Sequence, residues 1–259
     1  MRYLSFVVLV SLSLVVTACG GDDDDKLFAE GKLLNTPPGG TDFGLLRHFD
    51  IATHTAAIIN LDDADGYDFS LPDDSLVIIS VESLDQLNPF VELFDANGFF
   101  ITGDDDGGVG TDALIVDSLR SGDYTIVVWS SLDGPVVGDY ELNVIIGSPG
   151  ADLGSFDVGV TAIRHDIAIA AGADAQSYVL TLSAPSHVDF EVLQRTGDAD
   201  LAMQLINQRG DEVFFFDPAG LGDPVVLDEP LDRGTYLLIV SNEVTAGSGV
   251  YDLTVAVLP

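Results

Sequence analysis

Cysteine, basic residues and catalytic motifs are scarce or missing in this chain of 259 residues. Cys19 is the sole cysteine, so the chain cannot form an internal disulfide. Nine Lys and Arg residues face 43 Asp and Glu residues, and the formal net charge of −34 disfavours nucleic acid and anionic lipid headgroups as partners. The sequence has no G-x-S-x-G, no H-E-x-x-H and no glycine-rich phosphate loop with lysine. Serine-hydrolase, zinc-protease and nucleotide chemistry therefore have no sequence signal here.

The first 19 residues follow the order of a secretion signal. Arg2 supplies a positive charge, residues 4–16 are apolar apart from three serines, and the small residue Ala18 precedes Cys19. The apolar run is shorter than the roughly 20 residues of a membrane-spanning helix and fits the core of a signal peptide. The stretch VTAC (residues 16–19) resembles the bacterial lipoprotein signal, although that pattern more often has leucine in the first place.

The lipoprotein resemblance implies that residues 1–18 are removed and that lipid on Cys19 anchors the protein to a membrane. The alternative is an ordinary signal peptide with an accidental cysteine. A nucleophilic role is not indicated, because the aspartates at residues 22–25 disfavour a thiolate. An acidic block beside an acylated cysteine also resembles a surface-export signal. We therefore expect a location in the cell envelope, at the outer membrane or cell surface of a Gram-negative bacterium.

Residues 19–44 are predicted to form a tether between the lipid and the folded part of the chain. This range contains six glycines, two adjacent prolines and the aspartate block, and it has little apolar periodicity. Such a composition is typical of a hydrated linker.

The rest of the chain contains two copies of one unit. GDYTIVVW (Gly122–Trp129) matches GTYLLIV (Gly234–Val240) 112 residues later, and GDYELNV (Gly138–Val144) matches GVYDLTV (Gly249–Val255) 111 residues later. Two further blocks match in the same order at the same spacing. A period of this length indicates tandem domains, since solenoid repeats are much shorter.

The pattern within each copy predicts β-strands. HVDFEVLQ (residues 187–194) alternates apolar and acidic residues, as a half-buried strand does, and Gly- and Asp-containing turns separate such segments. The predicted fold class is all-β, with two tandem antiparallel, jelly-roll-like β-sandwiches at residues 45–147 and 150–259. Four strand tyrosines are expected to pack their rings while their hydroxyls stay in water: Tyr124, Tyr140, Tyr236 and Tyr251.

The order of motifs in each copy resembles a known family. An apolar strand is followed by an L-x-D-x-x-G hairpin (Leu93 to Gly98), an acidic turn, and two strands that begin with G-x-Y. This order resembles the bacterial pre-peptidase C-terminal domain, a β-sandwich appended to secreted proteases and other exported proteins. The resemblance covers about Leu45–Gly147 and Asp157–Leu258. It implies a sandwich fold whose acidic turns bind calcium in some members.

The acidic turn GDDDGG (residues 103–108) is the candidate calcium site. Calcium takes six to eight oxygen ligands in flexible geometry, and the glycines would allow backbone carbonyls to join. The candidate ligands are Asp104, Asp105, Asp106, Asp95 and Asp112. The alternative is a solvated turn, because the spacing matches no strict calcium-loop signature. A second, weaker acidic turn contains Asp198 and Asp200, and the region of copy two that corresponds to the first turn keeps only Asp217.

These observations predict a non-enzymatic, lipid-anchored extracytoplasmic module that binds an unidentified protein or polymer. Its membrane contact would be the lipid on Cys19, its sole cofactor would be calcium, and nucleic acid is not an expected partner. The alternative is a secreted hydrolase that uses two aspartates, or an accessory protein that acts in trans with a protease. A glycosidase pair would need two carboxyl groups in a cleft, one of them with a raised pKa.

Overall fold

The computed structural model describes residues 28–29, 32–33, 36–132, 134–171, 174–217, 224–243 and 247–258. Every element of regular secondary structure within these residues is a β-strand. The described residues contain no helix that is long and apolar enough to cross a bilayer. The N-terminal strands and those of the first unit are β1 (Phe28–Ala29), β2 (Lys32–Leu33), β3 (Asp42–Leu45), β4 (Ile51–Ile58), β5 (Asp65–Leu71), β6 (Ser75–Ser83), β7 (Pro89–Asp95), β8 (Phe100–Asp104), β9 (Ala113–Leu119), β10 (Gly122–Ser130) and β11 (Gly138–Gly147). Those of the second unit are β12 (Ala151–Phe156), β13 (Thr161–Ile169), β14 (Ala175–Leu182), β15 (Ser186–Gly197), β16 (Leu201–Asn207), β17 (Glu212–Phe216), β18 (Val225–Leu231), β19 (Gly234–Asn242) and β20 (Gly249–Val257).

Each unit is a sandwich of a five-stranded and a four-stranded sheet. In the first sandwich the strand orders are β3-β5-β10-β7-β8 and β4-β11-β6-β9. In the second they are β12-β14-β19-β16-β17 and β13-β20-β15-β18, which is the same topology with every strand number raised by nine. The predicted all-β fold class is confirmed. A buried apolar core lies between the two sheets of each sandwich.

At one edge of each sandwich two strands pair in parallel, whereas the sequence predicted antiparallel sheets. β3 pairs with β5 in parallel, and β12 pairs with β14 in the same way. The cause is the chain path, because the strand between each pair lies in the opposite sheet and the chain returns in its original direction. Residues 42–44, which the sequence assigned to the tether, therefore belong to the first sheet.

A pair of buried tyrosines joins the two sheets of each sandwich. The hydroxyls of Tyr67 and Tyr140 lie 2.6 Å apart, and those of Tyr178 and Tyr251 lie 2.8 Å apart. The expectation that the hydroxyls of Tyr140 and Tyr251 stay in water is therefore wrong. Both side chains are fully buried, and a buried hydroxyl needs a partner within the protein. In the first sandwich Tyr140 also donates to the buried carboxylate of Asp65 at 2.6 Å.

Removing these hydroxyls is expected to affect the two sandwiches unequally. Tyr140→Phe leaves the buried Asp65 without its donor, and we expect a loss of about 2–3 kcal/mol in the free energy of unfolding. Tyr251→Phe removes only a bond between two neutral hydroxyls, for which about 1 kcal/mol is expected. Urea unfolding of both variants measures the difference. Equal losses would show that the carboxylate contributes nothing.

The two sandwiches share an apolar interface. The outer face of the first four-stranded sheet contributes Leu76, Ile78 and Ile145, which pack against the outer face of the second five-stranded sheet. The second sandwich contributes Ala175, Val179, Ile206, Leu237 and Ile239. This contact explains why LVIISV (residues 76–81) is apolar at nearly every position. Val77, Ile79 and Val81 face the first core, while Leu76 and Ile78 face the second sandwich.

Polar contacts at the interface fix the register of the two sandwiches. Ser80 Oγ donates to the carbonyl oxygen of Gln208 at 2.6 Å, and Arg209 Nε donates to Glu82 Oε1 at 2.8 Å. Glu82 is buried, whereas the side chain of Arg209 is 59% exposed, so water reaches this ion pair from the arginine side. The connection between β11 and β12 is only three residues long, and Ser148 N donates to Ser177 Oγ at 3.0 Å. The two sandwiches are therefore packed as one unit.

The matching face of the second sandwich is polar instead. Ile78 pairs with Ile145 and Val116, and the residue with the equivalent pairing in the second sandwich is Asp189. The position of Leu76, which pairs with Ser118, is likewise taken by His187, which pairs with Pro230. Because these residues favour water, no third sandwich is required to cover this face.

The segment before β3 covers the outer face of the first five-stranded sheet. Leu33 is buried against Phe94 and Val127, and its backbone N–H donates to the carbonyl oxygen of Gly98 at 2.7 Å. Gly40 lies so close to β5 that a side-chain carbon there would be 1.9 Å from the carbonyl oxygen of Gly66. Part of the predicted tether is thus packed on the first sandwich. The predicted signal peptide and Cys19 lie outside the described residues.

Candidate functional site

The acidic turn after β8 is built around the carboxylate of Asp104. Asp104 Oδ2 accepts hydrogen bonds from the backbone N–H groups of Gly107 and Leu114, each at 2.8 Å. A side-chain carbon at Gly107 would lie 2.8 Å from the same oxygen, so glycine is required there. Asp104 therefore holds the loop to the start of β9, and both of these hydrogen bonds are accepted by one of its two carboxylate oxygens.

The other acidic residues near this turn have separate partners. Asp105 Oδ2 accepts from Ser131 Oγ at 3.2 Å, while Asp106 is exposed. Asp112 Oδ1 accepts from the backbone N–H of Ser83 at 3.0 Å, and burial raises the pKa of Asp112. The structure thus places these carboxylates along one loop and gives Asp104, Asp105 and Asp112 a local structural contact, whereas Asp106 is exposed to solvent.

Asp95 organises the hairpin between β7 and β8. Its Oδ1 accepts from the backbone N–H groups of Asn97 and Phe99, each at 2.8 Å. Desolvation acts to raise the pKa of Asp95, but these hydrogen bonds outweigh it and the pKa is lowered. Asn207 forms the same turn in the second sandwich, where its Oδ1 accepts from Arg209 N and Asp211 N. Since a neutral amide replaces the carboxylate there, the turn itself needs an oxygen acceptor and not a charge.

The second acidic turn has a similar structural role. Asp198 Oδ1 accepts from Ser248 N at 3.1 Å, and Asp200 N donates to Asn242 Oδ1 at 3.0 Å. One carboxylate oxygen of Asp200 is buried and has no hydrogen-bond partner among the described residues. In the described part of the chain, no three His, Cys, Asp or Glu side chains form a group that could hold a metal ion.

Calcium binding at the first acidic turn stays a prediction with a direct test. Binding to the folded form at 100 times Kd stabilises a protein by about 2.7 kcal/mol, which for a domain of this size raises Tm by on the order of 10 °C. The comparison is thermal unfolding in calcium and in chelator at equal ionic strength, because salt also screens the acidic surface.

The control for this test is magnesium, which favours octahedral geometry and keeps its water ligands. Asp105→Asn with Asp106→Asn should remove the calcium-specific rise and preserve the backbone contacts of Asp104. If calcium and magnesium raise Tm equally, or if the double variant responds as the parent does, the turn binds no specific ion.

Glu92 is a buried acid that the sequence analysis missed. It lies on β7 between Phe90 and Phe94, on the face of the sheet away from the core, and Val127 and Gly103 are its neighbours across the sheet. Its Oε2 is buried without a hydrogen-bond partner among the described residues. Burial alone raises the pKa of Glu92 to about 7, and no charged neighbour contributes.

The sequence signal for Glu92 was indirect. In an alternating strand, an acidic residue between outward-facing positions predicts contact with water. Here the flanking outward residues are aromatic, and Phe90 stacks on Trp129 with ring centroids 6.0 Å apart. The two phenylalanines on either side of Glu92 were thus the one feature of the sequence that indicated a covered outer face on this sheet.

The outer face of the second four-stranded sheet combines charge with exposed apolar residues. We call it the distal face and define it by the outward residues Ile163, His187, Asp189, Glu191, Val226 and Asp228. His187 Nδ1 lies 3.1 Å from Asp228 Oδ1. At the end of this face Arg195 and His165 both contact Asp252, and the Arg195 guanidinium holds the pKa of Asp252 well below its usual range.

Comparison with solved structures finds β-sandwich and related domains at low similarity. They include the pre-peptidase C-terminal domain of a collagenase from Bacillus anthracis, with 21% identity and a TM-score of 0.35, covering 42% of this chain and 98% of that chain. The periplasmic inhibitor PliG of g-type lysozyme from Salmonella Typhimurium has 18% identity and a TM-score of 0.29, covering 42% and 98%.

The CUB1-EGF-CUB2 segment of human MASP-1/3 has 8% identity and a TM-score of 0.27, covering 80% of this chain and 99% of that chain. No protein-family model matches the sequence, and no curated protein matches it. Similarities at this level carry no information about a ligand or an activity.

Proposed function

We propose that the protein is a non-enzymatic, lipid-anchored module of the bacterial cell envelope that binds a protein or polymer partner through its distal face. The observation that carries this proposal is the order of the layers. The N-terminal segment packs on the first five-stranded sheet, the first four-stranded sheet packs on the second sandwich, and the distal face is the outermost sheet at the other end. An anchor at Cys19 would therefore hold the distal face away from the membrane.

The surface of the distal face supports a binding role. Val226 is 55% exposed and Ile163 is 46% exposed. They lie on the two edge strands of the sheet, with Thr254 and Glu191 between them in the cross-strand register. In the first sandwich the position of Val226 is taken by Leu114, which packs at the interface with the second sandwich. The face therefore presents exposed apolar side chains interspersed with polar and charged ones, and a non-obligate protein interface taken as a whole has a similarly mixed surface.

The anchor has a test of its own. The intact mass of protein extracted from the native membrane should equal residues 19–259 plus acyl chains, and Cys19→Ser should release the protein from the membrane. A free thiol at Cys19, or retention of residues 1–18, would overturn the lipid-anchor part of the proposal.

The binding face is tested with charge-introducing variants. Wild-type protein, an Ile163→Lys/Val226→Lys double variant and Ile59→Lys are used to capture partners from solubilised native envelope. Ile59 lies in the first sandwich and is 72% exposed, so it controls for a change of equal chemistry elsewhere. We expect capture by wild type and Ile59→Lys and its loss in the double variant. Equal capture by all three proteins would place binding elsewhere on the molecule.

A further inference from the structure

The two sandwiches have the same β-hairpin but differ in the two residues that follow its turn, while the next position is an exposed aliphatic residue in both, Ile101 in the first and Val213 in the second. Asp95 N donates to the carbonyl oxygen of Phe99 at 2.9 Å, and Asn207 N donates to that of Asp211 at 2.9 Å. Phe100 pairs with Phe94 as Glu212 pairs with Ile206. Phe99 and Phe100 therefore occupy the positions that Asp211 and Glu212 take in the second sandwich.

The first hairpin leaves its apolar residues in water. Phe99 is 56% exposed, Phe100 is 49% exposed and Ile101 is 36% exposed. We call these three residues the apolar tip. Turn formation does not require the two phenylalanines, because the second hairpin forms the same hydrogen bonds with two acidic residues in their places. Contiguous exposed aromatic and aliphatic side chains indicate a surface that another phase or molecule covers.

The apolar tip lies where the chain enters the folded unit. Lys32 forms a β-bridge with Phe99, and its Nζ lies 5.2 Å from the centre of the Phe99 ring. Phe28 pairs with Leu33 on the neighbouring strand, so the chain passes this hairpin on its way from Cys19. Eight residues separate Cys19 from Phe28. A chain of that length spans at most about 29 Å when fully extended and about 16 Å as a flexible coil.

We propose that the apolar tip inserts into the headgroup region of the membrane to which the protein is anchored. This inference rests on the proposed lipidation of Cys19, which would hold the tip near the bilayer and raise its effective concentration there. Phenylalanine and isoleucine side chains of surface-bound segments bury at the boundary between headgroups and acyl chains, and Lys32 would place its ammonium group at the level of the phosphates. The net charge of −34 repels anionic lipids, so the surface that fits is one of zwitterionic headgroups.

The test uses a fluorophore attached to a single cysteine. Ala96, in the turn before the apolar tip, is exposed and is changed to cysteine for labelling. Its counterpart in the second hairpin, Gln208, is buried, so the control label is placed at Asp211→Cys, an exposed position of the second hairpin that corresponds to Phe99. A chain of residues 20–259 has no native cysteine and is held by an N-terminal histidine tag on phosphatidylcholine vesicles that contain nickel-chelating lipid. Quenching by lipids with brominated acyl chains reports depth.

We expect the label at residue 96 to lose most of its emission and the label at residue 211 to keep it. Phe99→Asp/Phe100→Glu, which copies the second hairpin, should abolish quenching at residue 96 while the protein stays on the vesicles. Absence of quenching in the parent, or quenching unchanged by the double variant, would overturn the insertion. The natively processed chain is floated with the same vesicles without nickel lipid. Its failure to float would overturn lipidation alone, because the tagged chain tests insertion independently.

Discussion

Ile78→Asp is expected to lower the free energy of unfolding by about 3–5 kcal/mol, the largest loss predicted for a single change in this protein. Ile78 is 1% exposed and faces the second sandwich across the apolar interface. The change removes buried apolar area and places a carboxylate where the described structure offers no basic partner. Because this interface holds the two sandwiches together, we also expect them to unfold in separate transitions.

The second sandwich supplies the matched control for this variant. Asp189 holds the equivalent position on the distal face, where it contacts water. Asp189→Ile should therefore change the free energy of unfolding by less than about 0.5 kcal/mol, as most surface substitutions do. Both variants are measured by urea unfolding and by limited proteolysis at residues 148–150. A cooperative, wild-type transition for Ile78→Asp would show that the interface adds little stability.

Glu92→Gln is expected to stabilise the protein at alkaline pH by up to about 3 kcal/mol, the energy of moving a pKa from 4.5 to about 7. The direction follows from linkage. Burial raises the folded-state pKa of Glu92, so between these two values the folded state binds more protons than the unfolded state. The contribution of Glu92 to stability is therefore retained at acidic pH and is lost as pH rises through about 7.

The measurement is the free energy of unfolding of both proteins from pH 5 to pH 9. The other carboxylates of this acidic chain contribute a common background, which cancels in the difference between variant and parent. Glutamine fits this position of the fold, since Gln204 occupies it in the second sandwich. The difference should be small at pH 5 and reach its full size above pH 8. A difference that does not change with pH would mean that Glu92 is ionised and solvated in the folded protein.

The positions of the hairpin turns were predictable from the sequence, but the structural roles of the side chains in those turns were not. The spacing of Asp95 and Gly98 predicted the first hairpin, because a short acceptor side chain and a residue able to adopt positive φ are local requirements. Gly98 has a φ of 76°. The same aspartate looked like a calcium ligand, and only its two hydrogen bonds to backbone N–H groups revealed its structural role.

The sequence by itself determined the repeat, the all-β class and the turns, since strand periodicity and turn chemistry depend on residues close together in the chain. The tertiary structure alone decided which outward faces are covered. Ile78 and Asp189 occupy equivalent strand positions, and packing between sandwiches separates their roles. The raised pKa of Glu92 likewise comes from residues on neighbouring strands. Whether a residue is buried depends on contacts with residues far away in the sequence, so the pattern along one strand could not predict the burial of Ile78 or Glu92.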